Sequence, residues 1–204
     1  MINTLHNSLN LVNLTHNQPL MSNSHLRIDF AKKVYIVTLL LVSIWCFFIL
    51  LTPLLVSTGG ILSEIGYFMY IFYSPTCHQE ELRSFILFGE KFAVCSRCTT
   101  IYFSFLLGTL VYPFTRKITN VKLPSIWFLV AACIVMVADV SLDLMDVLKN
   151  TYLTRSISGG VLGFVLAFYI IPGFINFTFE VASFLKNDSK NLVKDSNDIV
   201  KNEQ

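Results

Sequence analysis

Residues 34–56 read VYIVTLLLVSIWCFFILLTPLLV, 23 consecutive positions without a charge. At 1.5 Å of rise per residue a helix of this length covers about 35 Å, enough for a hydrocarbon core of about 30 Å. Lys32 and Lys33 close the run at its front. A cleaved signal peptide has a shorter apolar core and a small-residue cleavage site, so a retained membrane helix is expected.

Outward from this run, three more stretches are long enough to span. Cys95–Phe114 is interrupted only by Arg97, near its start. Ser125–Val147 is apolar as far as Ala138 and then gains acids. Ile157–Phe179 is uncharged, with Pro172 near its far end. The expected fold is an all-α membrane protein, a four-transmembrane-helix bundle with spans at about 34–56, 95–114, 125–147 and 157–179. Ile65–Tyr73 is strongly aromatic but short, bounded by Glu64 and Pro75. It is expected as an extra interfacial or re-entrant helix, followed by a Cys-rich segment. Around the membrane domain of residues 31–179 lie an Asn-rich tail, 1–30, expected to be disordered, and a polar tail, 180–204, expected to open with a short helix.

Composition agrees with this reading. The chain of 204 residues is 54% hydrophobic and only 14% charged, too apolar for an ordinary soluble domain. Its 18 Phe and 8 Tyr suit lipid contact and interfacial belts. A net charge of +2 gives no basic field for nucleic acid, so the expected partner is the lipid bilayer, with a homo-oligomer open. Basic residues assign orientation. Arg27, Lys32, Lys33, Arg116, Lys117, Lys122, Lys186, Lys190, Lys194 and Lys201 fall on one side, 10 of the 15; Arg83, Lys91, Arg97, Lys149 and Arg155 fall on the other. Both termini are therefore expected in the cytoplasm of a cell membrane protein, with Ser57–Val94 facing outward.

The chemistry concentrates on that outer side. Cys77, His78 and Gln79 are followed by Arg83, then by Cys95-Ser96-Arg97-Cys98. Thiolates and imidazole are ligands for zinc, iron or copper, and Cys-x-x-Cys lets one turn present two sulfurs to one ion. Cys77 and His78 lie 17 or 18 residues before Cys95, near the separation between the knuckles of a zinc ribbon. The expected metal ligands are Cys77, His78, Cys95 and Cys98, holding zinc or another transition metal. The same atoms support thiol–disulfide exchange, because a helix N-terminus and Arg97 both favour a thiolate at Cys95 or Cys98. Against each stands a purely structural role, which is the better reading for Cys46 and Cys133, mid-span among aliphatic residues.

Acids inside a span are costly and point to function. Asp139, Asp143 and Asp146 recur at i, i+4 and i+7, on one face of the third span towards its outer end. With Gln79, Arg83, Arg97 and Arg155 they are expected to form a polar surround, through pairs such as Asp139 or Asp143 with Arg97 or Arg155. That surround orients the ligands or receives an anionic substrate. A small transporter, with these groups lining a path, is a third functional class. Gly159 and Gly163 form a small-xxx-small pair expected to pack against a neighbouring span.

At the string Cys77-His78-Gln79, Arg83-Ser84-Phe85, Cys95-x-Arg97-Cys98-Thr99, Ile101-Tyr102 the sequence resembles a family of small prokaryotic membrane proteins carrying a domain of unknown function. Asp143 (or Asp139), Arg155, Gly159 and Gly163 match the family's second half, where an acid is followed by Arg-x-x-x-Gly-x-x-x-Gly. The resemblance covers about residues 60–170. Thr100 stands where the family pattern has Gly. The resemblance implies a membrane fold and a shared site, and names no reaction.

Overall fold

The computed structural model describes residues 24–202, apart from Asp146 and Leu148. Among the described residues five α-helices are formed: α1 Ser24–Thr58, α2 Gly60–Tyr73, α3 Ser96–Thr115, α4 Ile126–Leu144 and α5 Tyr152–Asn202. Four of them, all but α2, are long and apolar enough to cross a membrane. The protein is thus an all-α bundle with four candidate membrane spans.

The apolar runs locate the spans, and the helices outrun them. A helix turn carries its own backbone hydrogen bonds, so α1 starts at Ser24, within the stretch expected to be a tail, and α5 begins at Tyr152 and continues to Asn202. The polar stretch from 180 therefore carries on as helix instead of opening with a short one. Residues 1–23 and Asp146 lie outside the described residues.

Between α1 and α2 the chain reverses at Gly59 and Gly60, both in the left-handed region with φ of 72° and 63°. α2 then runs back alongside α1. Gly66 lies so close to Val56 that an added Cβ would sit 3.0 Å from the Val56 backbone nitrogen. Further down, the Tyr73 hydroxyl donates to the Trp45 carbonyl at 2.9 Å. This return places the end of α2, and Cys77 just beyond it, beside the middle of α1.

α3 and α5 run in the same direction and form the closest helix pair. Their approach depends on glycine: a Cβ on Gly159 would meet Thr100 Oγ1 at 2.6 Å and the Arg97 carbonyl at 2.7 Å. One on Gly163 would collide with the Ile101 carbonyl and the Ser104 hydroxyl, and one on Gly108 would meet Ala167 Cβ at 2.8 Å. α4 packs antiparallel on α5, with the Tyr169 hydroxyl donating to the Ser125 carbonyl at 2.6 Å. α1 crosses α3, its Tyr35 hydroxyl donating to the Thr109 carbonyl at 2.9 Å.

Two buried clusters result. One gathers Ala31, Tyr35, Tyr112, Ala167, Ile171 and Ile175 at the end of the bundle near the chain's basic loop. The other gathers Ile49, Tyr73, Cys77, Ala93 and Val94 at the opposite end, with Trp45 and Tyr102 packed against it. The outer surfaces of α1 and α4, with exposed Leu40, Leu41, Phe47, Trp127 and Phe128, are the faces a lipid environment covers.

Candidate metal centre

The segment between α2 and α3 is short and tightly tied. Thr76 and Cys77 both donate their N–H to the Tyr73 carbonyl, at 3.0 and 3.2 Å, so the chain turns directly off the end of α2. Gln79 adopts φ of 54°, unusual for a residue with a side chain. Three contacts hold it there. Its Nε2 donates to the Tyr70 carbonyl at 2.6 Å, and its own carbonyl accepts from Lys91 Nζ at 3.2 Å. Its N–H points back to Cys77 Sγ at 3.5 Å.

A one-turn 3-10 helix, Glu81–Arg83, follows, and then a two-stranded ladder, β1 Ile86–Leu87 against β2 Glu90–Lys91. Phe88 and Gly89 join the strands with φ of 56° and 83°, the two left-handed positions of a type I′ turn. The ladder folds the chain back so that Ala93 and Val94 bury completely and Cys95 arrives as the N-cap of α3.

The three sulfurs meet here. Cys77, Cys95 and Cys98 present ligand atoms that all lie within 4.8 Å of one another. Three sulfurs at about 2.3 Å from a tetrahedral ion stand about 3.8 Å apart, so closing on an ion needs a shift of about 1 Å or less. The Cys77 sulfur already accepts two backbone N–H groups, from Cys95 at 3.2 Å and from Gln79. The neighbouring Cys95 and Cys98 thiols hold the Cys77 thiol well below the ordinary thiol range, assisted by those N–H groups and against the effect of burial. Cys77 is buried, and Cys95 and Cys98 are half-buried.

His78 is not part of that triangle. Its neighbour Cys77 turns inward, while His78 is exposed and lines the rim of the cavity over the thiols. That cavity has a volume of about 400 Å³, and Arg83, Arg97 and Arg155 face it together with Glu80. Cys46, buried in α1, and Cys133, exposed on α4, stand apart from the cluster.

A charged network surrounds the thiols. Arg97, between the two cysteines of the Cys-x-x-Cys turn, pairs with Asp139 through Nη2, while its Nε is buried without an acceptor. Arg155 pairs with Asp143 at 3.0 Å; Arg83 lies 3.9 Å from the same carboxylate and 2.9 Å from Glu80. Residues not singled out in the sequence complete the network. The Ser158 hydroxyl donates to Asp139 at 2.9 Å. Asn150 donates its N–H to Asp143 Oδ1 and its Nδ2 to the Asp139 carbonyl, both at 3.0 Å. The Tyr152 hydroxyl donates to the Leu82 carbonyl at 3.0 Å and its ring stacks on Phe85. The helical period carried a signal for Ser158, three residues after Arg155 on one face of α5; Asn150 and Tyr152 sit at a loop and a helix start, where no period applies.

Comparisons with known proteins agree with this architecture. Residues 77–169 match the family described as "Predicted membrane protein (DUF2085)", a range of this chain that runs from Cys77 into α5. The chain is 36% identical over 152 residues to the "Uncharacterized protein MJ1492" of Methanocaldococcus jannaschii, covering 73% of this chain and 97% of that protein. No solved structure matches it. On the match to the family and the near-complete coverage of the archaeal relative, this chain belongs to the DUF2085 family of membrane proteins.

Proposed function

We propose that this protein is a multi-pass membrane protein that binds a thiophilic transition-metal ion, zinc being the first choice, through Cys77, Cys95 and Cys98. The observation that carries the reading is the approach of three sulfurs to within 4.8 Å of one another, one of them accepting two backbone N–H groups. Backbone N–H donors stabilise thiolate, the form that ligates metal. His78 stands on the rim, and Gln79 positions Cys77 through its backbone. Arg83, Arg97 and Arg155, fixed by Asp139 and Asp143, balance the charge that three thiolates bring. The site faces outward and both termini face the cytoplasm, in keeping with the excess of basic residues on the terminal side.

Elemental analysis of detergent-purified protein, beside a thiol count before and after chelation, tests this. About one metal ion per chain is expected, with three thiols that react only after chelation, and Cys98→Ser lowers the metal content severalfold. Unchanged metal content in Cys98→Ser sinks the proposal. Absence of metal, with two outward thiols released only by a reductant, replaces it with thiol–disulfide exchange, for which the close sulfurs are equally placed.

A further inference from the structure

The cavity above the thiols has an uneven charge distribution. Three guanidinium groups, of Arg83, Arg97 and Arg155, line it. The carboxylates that pair with Arg97 and Arg155, Asp139 and Asp143, are absent from its lining, and Asp143 lines the adjoining cavity instead. Glu80 is the acid that faces it among the described residues. Arg97 and Arg155 are therefore fixed by carboxylates outside this lining, while Arg83 pairs with Glu80 within it at 2.9 Å. The Nε of Arg97 is also a buried donor with no acceptor.

Two further observations concern access and ligand number. Three sulfurs come together and His78 stays outside the triangle, so the described residues supply three ligands where a closed structural zinc site has four. The thiol cavity shares Glu80, Arg83 and Arg155 with a second cavity of about 760 Å³, lined further out by Lys149, Asn150 and Tyr152. The two cavities thus adjoin at Arg83 and Arg155, with Glu80 in both and Asp143 in the larger one.

Resting on the metal reading above, we infer that the fourth metal ligand is exogenous: a small anionic molecule with a soft donor atom, whose carboxylate or similar group is held by Arg83 and Arg155. The donor atom completes the three-sulfur site, and the anionic group pairs with guanidinium charge already fixed in the lining. Discrimination then lies in the arginines, because metal coordination alone accepts a neutral thiol as readily as a charged one.

Protein loaded with Co2+ tests the inference, with mercaptoacetate as the charged probe and mercaptoethanol as its neutral counterpart. The visible spectrum is expected to be the same in wild type and His78→Ala, and to shift on adding either thiol. Mercaptoacetate should bind about tenfold tighter, the worth of one charge-assisted pair. Arg83→Gln, a change at a half-exposed residue, should reduce that preference about threefold or more when compared with wild type at saturating Co2+; Arg155→Gln is the second variant. A spectrum altered by His78→Ala and unresponsive to both thiols overturns the inference while the metal reading stands. Equal affinity for the two thiols overturns the anionic choice. Failure of the wild-type chain to take up Co2+ overturns the metal reading and this inference with it.

Discussion

At the scale of the residue, the Cys77 sulfur has the most distinctive surroundings in the chain. Neighbouring thiols and two backbone N–H groups favour its ionised form, so its folded pKa lies below its unfolded one. The folded state then binds fewer protons at this group. Its stabilising contribution is fully present above the ordinary thiol pKa and fades as pH falls towards the folded value. In metal-free protein, ultraviolet absorbance is expected to show one thiolate persisting below neutral pH, lost in Cys77→Ser. If the thiolate signal of wild type and Cys77→Ser titrates alike, the assignment fails. The spacing of Cys77, Cys95 and Cys98 made the cluster legible in the sequence, since Cys-x-x-Cys fixes two sulfurs on one turn. It could not separate Cys77 from His78. Consecutive side chains leave a turn in different directions, and local sequence announces neither the turn off Tyr73 that Cys77 makes nor the positive φ at Gln79 that follows.

At the scale of the element, the glycines of α5 are not equivalent. Gly163 has the Ile101 backbone where a side chain would go, whereas Gly160 has nothing within 4 Å of an added Cβ. Gly163→Leu is expected to destabilise the protein by about 1–3 kcal/mol or more through forced separation of α3 and α5. Gly160→Ala is expected to be neutral or to stabilise by about 0.5–1 kcal/mol, because alanine is the better helix former. Thermal unfolding of the two variants in the same detergent decides; matching losses would mean that the close approach is not what the glycines serve. The four spans were legible because hydrocarbon thickness imposes a length on apolar runs. Helix ends were not, since membrane exit and helix termination are separate events. The β1–β2 ladder was equally hidden: its turn is Phe88-Gly89, not the Asn-Gly or Asp-Gly that marks such hairpins in sequence.

At the scale of the whole molecule, one charged network joins α3, α4, α5 and the Cys-rich segment. Arg97 and Asp139 are both mostly buried, at 17% and 12% side-chain exposure. Asp139→Ala leaves Arg97 without its counter-charge and takes away the nearer of the two acceptors of the Ser158 hydroxyl, the other being the Arg155 carbonyl at 3.2 Å. A loss of about 3 kcal/mol is expected, the lower end of the range for removing one partner of a buried pair. Chemical denaturation in mixed micelles measures it. A loss below about 0.5 kcal/mol would place the pair among surface contacts of little weight. The pairing of an arginine in one span with an acid in the next was legible in outline from the period of the acids. The choice of Asp139 for Arg97 and Asp143 for Arg155 was not, because it depends on the closeness that Gly159 gives to α5 and α3.

The same pair has a consequence for how the chain is made. Arg97 stands at the start of α3 and its counter-charge lies on α4, 42 residues later. During synthesis the arginine reaches the translocon before its partner exists, and an unpaired arginine within a span is costly to insert. α3 is therefore expected to settle fully in the membrane only when α4 arrives beside it, so that the two helices insert as a single unit.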